Sequence, residues 1–361
     1  MNARYPYRLL YQKDGIYSAY YFSVPIYNRT ADTLVSPHFS EKEGGAEFLG
    51  SNAKITLGED ILMENPKGKC RISMPSGYRY ESDELISYDG IELYPTLNGV
   101  ACIAKAEEKR KHTFRISTDA PLSHVSGNQK CFCTMLSAIE PHLSISCIGS
   151  LDKERELISP AYIQYRRIEA DEFEVSVCTD SPNAEYLFFE MNLHTPKLFL
   201  DTTVETRYPD KNNAFGTVAF IGETQEFGEE RLFCRPLLMS LGGLRDADIE
   251  SAAMYIPKLD GGSSLLAAHR LTARFCSFAS NWNNQKPSAY KYVSSEIKNG
   301  YHRIDVTNMI IKNQEISKYA EGWMLRVSPE HKGLCVISTA DSFFAPQILE
   351  ITFRKNLLNN Y

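Results

Sequence analysis

Long apolar runs are missing from this chain of 361 residues. No stretch approaches the roughly 18 apolar residues that a membrane-spanning helix needs, so a helical membrane span is not expected. The opening MNARYPYRLLYQKDG has no continuous apolar segment followed by small residues, and it reads as folded protein, not as a secretory leader. Positive charge is not in excess either. The 39 Lys and Arg against 45 Asp and Glu leave a net charge of −6, which argues against nucleic acid or an anionic membrane as partner. Compact catalytic signatures are also lacking. The eight histidines are scattered outside HExxH or His-x-His spacing, and no nucleophile elbow, Walker loop or dinucleotide fingerprint occurs. A Cys–His dyad remains conceivable among so many Cys and His, but no local signature favours one, and core thiols are the simpler account.

Tryptophan is scarce, with two in the chain, and cysteine is neither scarce nor dense. The nine cysteines, Cys70, Cys102, Cys131, Cys133, Cys147, Cys178, Cys234, Cys276 and Cys335, are an odd number spread through strand-like runs. Buried reduced thiols and folding in the cytosol are expected, in place of a disulfide scaffold. Cys131-Phe132-Cys133 is the only close pair. Its one-residue gap puts both sulfurs on one strand face, and without a second pair no zinc site is expected.

What the chain does have is aromatic and β-branched residues, with 21 Tyr and 18 Phe, which suits strands. Strand-like runs follow one another, punctuated by turns such as Lys13-Asp14-Gly15, Asp89-Gly90 and Asn98-Gly99. Helical periodicity is confined to 305–322, where Asp305 or Thr307 can act as N-cap and Gly322 as the stop, and to a short turn near GLRDADIE. The spacing predicts an all-β fold of tandem β-sandwiches with one or two short helices. The break at His194-Thr195-Pro196 divides it into 1–195, itself splitting near Ala120-Pro121, and 196–361.

The second part resembles a bacterial and phage domain family, DNRLRE, found in surface proteins. The likeness lies in an ordered series: DTTVETRYPDKNNAFGTVAFIGE (201–223), RLFCRPLLMSLGGLRDADIESAAMYIP (231–257), SNWNNQKP, YHRIDVTNMI, EGWMLRV and ISTADSFFAPQILEITF. Lys286 is inserted before Pro287, Cys234 interrupts one strand, and Ala340-Asp341 replaces the family's Ser-Glu pair. The resemblance implies a jelly-roll sandwich akin to carbohydrate-binding modules and carries over no catalytic residue. A fainter likeness covers GIELYPTLNGVACIAKAEEKRKHTFRI in the first part.

Within SNWNNQKP, Trp282 with Asn283 and Asn284, and Tyr290 and Tyr292 beyond, are candidate ligand-binding residues, since an exposed ring beside amides stacks and hydrogen-bonds a sugar. The competing reading has the indole wedged inward and the amides satisfying the loop backbone, and the recurrence of this loop in the family pattern favours it. The turn acids Asp201, Asp210, Asp246, Asp248 and Asp341 allow a structural Ca²⁺ without indicating one, and no other cofactor is expected. The functional expectation is a non-enzymatic structural or adhesive component of an oligomeric assembly, a phage virion or tail-like particle. A glycan-binding surface adhesin is the first alternative, and a carbohydrate-active enzyme the second.

Overall fold

The computed structural model describes residues 7–27, 34–49, 53–107, 110–195, 197–237, 248–312, 315–316 and 321–354. Within them the protein is nearly all β, in antiparallel sheets, and it divides into two compact units. One unit comprises Met1–Ile26, Pro196–Ala214 and Val218–Tyr361; the other comprises Tyr27–Thr195 and Phe215–Thr217.

The first unit is built on eight strands: β1 (Ile16–Phe22), β2 (Gly228–Pro236), β3 (Asp248–Pro257), β4 (Leu266–Leu271), β5 (Ser288–Ser294), β6 (Tyr301–Asp305), β7 (Trp323–Val327) and β8 (Ile348–Arg354). Their order is β1-β8-β3-β6 in one sheet and β5-β4-β7-β2 in the other. The antiparallel pairs 1–8, 2–7, 3–6 and 4–5 are those of a long hairpin rolled up on itself, which is the jelly roll. Alternation explains why the sheets close on each other. Tyr17, Ala19 and Tyr21 of β1, Met254 and Ile256 of β3, and Leu349, Ile351 and Phe353 of β8 share one core with Leu232, Leu266, Trp323 and Leu325 of the opposite sheet.

Residues 1–26 therefore belong with the C-terminal part, although the boundary expected at 195 places them elsewhere. The cause is the pairing of β1 along its whole length with β8. Between β1 and β2 the chain makes the second unit. There an eight-stranded sheet, from Tyr162–Arg167 at one edge to Ser40–Lys42 at the other, and a nine-stranded sheet around Pro141–Leu151 and Tyr186–Leu193 enclose one core. That core holds Ile55, Ile72 and Ile116 from before Ala120 together with Phe132, Val175 and Phe189 from after it, so the expected split near Ala120-Pro121 does not separate two cores.

Turn chemistry behaves as its physics requires. Asp14 and Gly15 take φ of 52° and 79°, and they join Arg8–Lys13 to β1 by a two-residue turn. Asn299 and Gly300, at 50° and 79°, do the same between Glu296–Lys298 and β6. The helix expected over 305–322, of which 313–314 and 317–320 lie outside the described residues, is corrected in the rest. A single turn, Thr307–Ile310, follows Asp305, whose Oδ1 accepts the Thr307 N–H at 2.9 Å. The chain then enters a short hairpin, Ile311–Lys312 against Glu315–Ile316, as adjacent β-branched isoleucines favour. Of GLRDADIE, 243–247 lie outside the described residues, and Asp248 already begins β3.

All nine cysteines are free thiols and only Cys276 is exposed. A thiol reagent is expected to modify one cysteine in the folded protein and nine after denaturation. Mass spectrometry of the labelled chain reads the count directly, and rapid native labelling of several thiols contradicts this packing.

Candidate functional site

The loop between β4 and β5 carries Trp282, and it is knotted together by its own amides. Trp282–Asn284 form one 3₁₀ turn in which the Asn281 side chain accepts the Asn284 N–H and the Asn284 side chain accepts the Asn281 N–H, a reciprocal cap. Asn283 Nδ2 donates to Asp210 Oδ1 at 2.7 Å, Asn284 Nδ2 to the Ala279 carbonyl at 2.9 Å, and Gln285 Nε2 to the Trp282 carbonyl at 3.0 Å. The indole is half-buried against Val204, Phe233, Leu271, Phe275 and Met324. The Arg231 guanidinium lies over the ring, 4.5 Å from its centre, held there by Glu229 and Gln285. The groups that would greet a sugar are thus spent on the loop itself. Tyr290 is 98 % exposed on β5, while Tyr292 donates to Glu330 at 3.4 Å and rests on the His269 ring. No hydrogen bond or ring contact among the described residues joins either tyrosine to Trp282.

The acids follow a different logic. Asp201 is buried, and its Oδ2 accepts the Ala340 N–H at 2.6 Å. Lys197 pairs with Asp341 beside it, both largely buried. Burial pushes the Asp201 carboxyl up to about 6, against the opposing pull of Lys197 and the Ala340 N–H. Glu230 is likewise buried and accepts the Phe220 N–H at 3.2 Å. That amide lies near Gly222, at φ 130°, where a Cβ would stand 2.8 Å from the Gly333 carbonyl oxygen and where Val218–Thr224 changes partners from Cys335–Ser338 to β2. These carboxylates cap amides at strand departures. Of the predicted turn acids, Asp210 serves the Trp282 loop and Asp246 lies outside the described residues. No group of three or more Asp, Glu, His or Cys among the described residues is placed to hold a metal.

One constellation escapes sequence reasoning because its members are far apart in the chain. Cys70 Sγ lies 3.4 Å from His142 Nδ1, and His142 Nε2 lies 3.2 Å from Asn65 Oδ1. This is the order of groups in a thiol protease triad, yet the chemistry is opposite. Burial pushes the Cys70 thiol up to about 12 and pulls the His142 imidazole down, so both are neutral at pH 7. Cys70 and His142 are fully buried, and they clip Gly68–Ser73 of one sheet to Pro141–Leu151 of the other. A separate open cleft of about 560 Å³ is lined by Asp89, Gly90, Lys105, Ala106, Glu107 and His112. There the buried His112 Nδ1 is 3.8 Å from Glu107 Oε1.

No family model matches the chain, and no curated protein matches it.

Replacing Trp282 with Ala should lower stability by about 2–3 kcal/mol, less than for a fully buried aromatic because the residue is only partly buried. An unchanged denaturation midpoint contradicts the wedge. Asp201 gives a second test. Between its ordinary 3.8 and about 6 the folded state binds the proton more tightly than the unfolded chain, so this group's contribution to stability falls as pH rises through that window. The total change is about 3 kcal/mol. Burial lowers His112, His142, His269 and His302, and these act in the opposite sense: their contribution is present above about 6.5 and is lost as pH falls. The difference in unfolding free energy between Asp201→Asn and the parent isolates the acid, and it should grow in favour of the variant from pH 4 to 6. A pH-independent difference contradicts the assignment.

Proposed function

We propose that the chain is a non-catalytic structural subunit that assembles with copies of itself in a larger particle, of the virion or phage-tail-like kind. The observation that carries this reading is β5, Ser-Ala-Tyr-Lys-Tyr-Val-Ser, at the edge of its sheet. Among the described residues no strand pairs with its outer side. A seven-residue edge that displays Tyr290 almost completely is a template for another strand. Natural monomers blunt such edges with prolines or several charges, whereas β5 has one lysine, Lys291, and no proline. Two antiparallel copies meeting across a two-fold axis make an isologous contact, which closes and needs no second type of partner. The neutral, buried state of Cys70 and His142 supports a role without covalent catalysis, and the ordered likeness of 201–353 to surface and phage domains supports the kind of particle. Reduced thiols suit folding in the bacterial cytoplasm before incorporation.

Sedimentation velocity of the full chain over a range of concentrations tests the reading. Association is expected, and Tyr290→Lys, which adds charge to the edge without touching the core, should weaken it by at least about tenfold, equivalent to about 1.4 kcal/mol. A chain that sediments as a monomer throughout contradicts it.

A further inference from the structure

The two faces of the β1-β8-β3-β6 sheet are chemically unlike. Its inner face is the core. Strand alternation turns Tyr20 of β1, Glu350 of β8, Tyr255 of β3, and Tyr301 and Arg303 of β6 to the outer face. Register brings them together: Tyr20 stands opposite Glu350, and Ile348 opposite Tyr255, which in turn faces Arg303. Both oxygens of the Glu350 carboxylate are held, Oε1 by the Tyr20 hydroxyl at 2.8 Å and Oε2 by the Tyr255 hydroxyl at 2.7 Å. Arg303 Nε donates to the Tyr255 hydroxyl at 3.3 Å, and Arg303 Nη1 to Glu296 Oε1 at 3.1 Å. Two further rings flank the network edge-on, Tyr11 at 5.7 Å from Tyr20 and Tyr301 at 6.3 Å from Tyr255. Tyr11 is 60 % exposed, and Tyr20, Tyr255, Tyr301, Arg303 and Glu350 are all partly exposed.

We propose that this face binds a neutral oligosaccharide, with the four tyrosine rings as stacking surfaces and Glu350 and Arg303 as hydrogen-bonding groups. Three properties select that ligand class. The two central rings, Tyr20 and Tyr255, are held on Glu350 before any ligand arrives, so less side-chain ordering remains to oppose binding. From Arg8–Lys13, which carries Tyr11, to β6 the residues span five strands, roughly 19 Å at the usual strand spacing, which suits an extended chain of several sugars better than a single small molecule. Charge decides the rest. Glu350, Glu296, Asp305 and Glu250 share this face with Arg303, Lys298, Arg354 and Lys13, so the charges offset and leave no positive excess to draw sulfated glycans or nucleic acid, while the apolar ring faces and paired hydrogen-bond groups match the two-sided chemistry of a sugar. Trp282 and its amides, already engaged with each other, take no part. The inference does not rest on assembly, since a monomer presents this face as well as an oligomer does.

The test is calorimetric titration of the full chain with cellohexaose, chitohexaose, maltohexaose and a heparin hexasaccharide. Binding of at least one neutral hexasaccharide at up to millimolar concentration is expected. It should weaken at least about tenfold in Tyr11→Ala and in Tyr301→Ala, whose rings lie outside the hydrogen-bond network, with melting temperatures near that of the parent. Glu350→Gln should weaken binding as well. If either tyrosine variant fails to fold, the conservative Tyr→Phe series at 20 and 255 replaces it and should show the same direction. Four results overturn the proposal: no binding of any neutral probe, tighter binding of heparin, binding that survives both ring deletions, or loss only in Trp282→Ala.

Discussion

The pairing of β1 with β8 is the constraint on which the first unit depends. Seven residue pairs, from Ile16 with Arg354 to Phe22 with Ile348, join strands more than three hundred residues apart in the sequence. They complete the sheet whose inner face forms half of the core, and they continue beyond the strands: Ser23 donates its N–H to the Gln347 carbonyl, and Ser23 Oγ accepts the Gln347 N–H. Leu198 then donates to the Ser23 carbonyl, which starts the return of the chain from the inserted unit. Loop-closure entropy rises only logarithmically with length, so a long insertion between β1 and β2 costs little more than a short one. The kinetic consequence is larger. A sheet completed by partners so far apart in sequence waits for the later strand to be made, and contacts of this range slow folding.

Polar residues in the interior do structural work where ladders break. Asp201 and Glu230 each meet a backbone amide whose strand has departed, and an unmet buried amide would cost about 1–3 kcal/mol. Cys70 and His142 tie two sheets of the inserted unit with a neutral pair, avoiding the desolvation of an ion pair. By contrast, the outer face of the eight-stranded sheet carries cross-strand pairs such as Lys54 with Glu47, Lys69 with Glu64 and Arg166 with Glu174. Exposed pairs of this kind contribute little individually and keep the face wet.

Local chemistry was readable and distant pairing was not. Asp14-Gly15 announces its hairpin because few residues accept positive φ, and alternating runs such as YLFFEMNL announce strands. Asn299-Gly300 carries the same signal, though it sits in a charged, weakly alternating stretch that masks its strands. The run 305–322 imitates a helix through its cap and its spaced apolar residues, but pairing of Ile311 with Ile316 prevails after one turn. Nothing local tells residues 16–22 that their partner lies at 348–354, which is why the boundary at 195 assigns the first strand to the wrong unit. Trp282 was legible as a wedge, whereas the tyrosine face around Glu350 required the register of four strands from three regions of the sequence.

Native-state hydrogen exchange of the intact chain tests the closure of the roll most directly. If β1 is integral, its alternate ladder amides should exchange with the same opening free energy as those of β3 and β8, all three being released together in one cooperative step. Exchange in β1 at least about a hundredfold faster than in β3, a difference of about 2.7 kcal/mol, would mean that the N-terminal strand frays independently and that the roll stands without it.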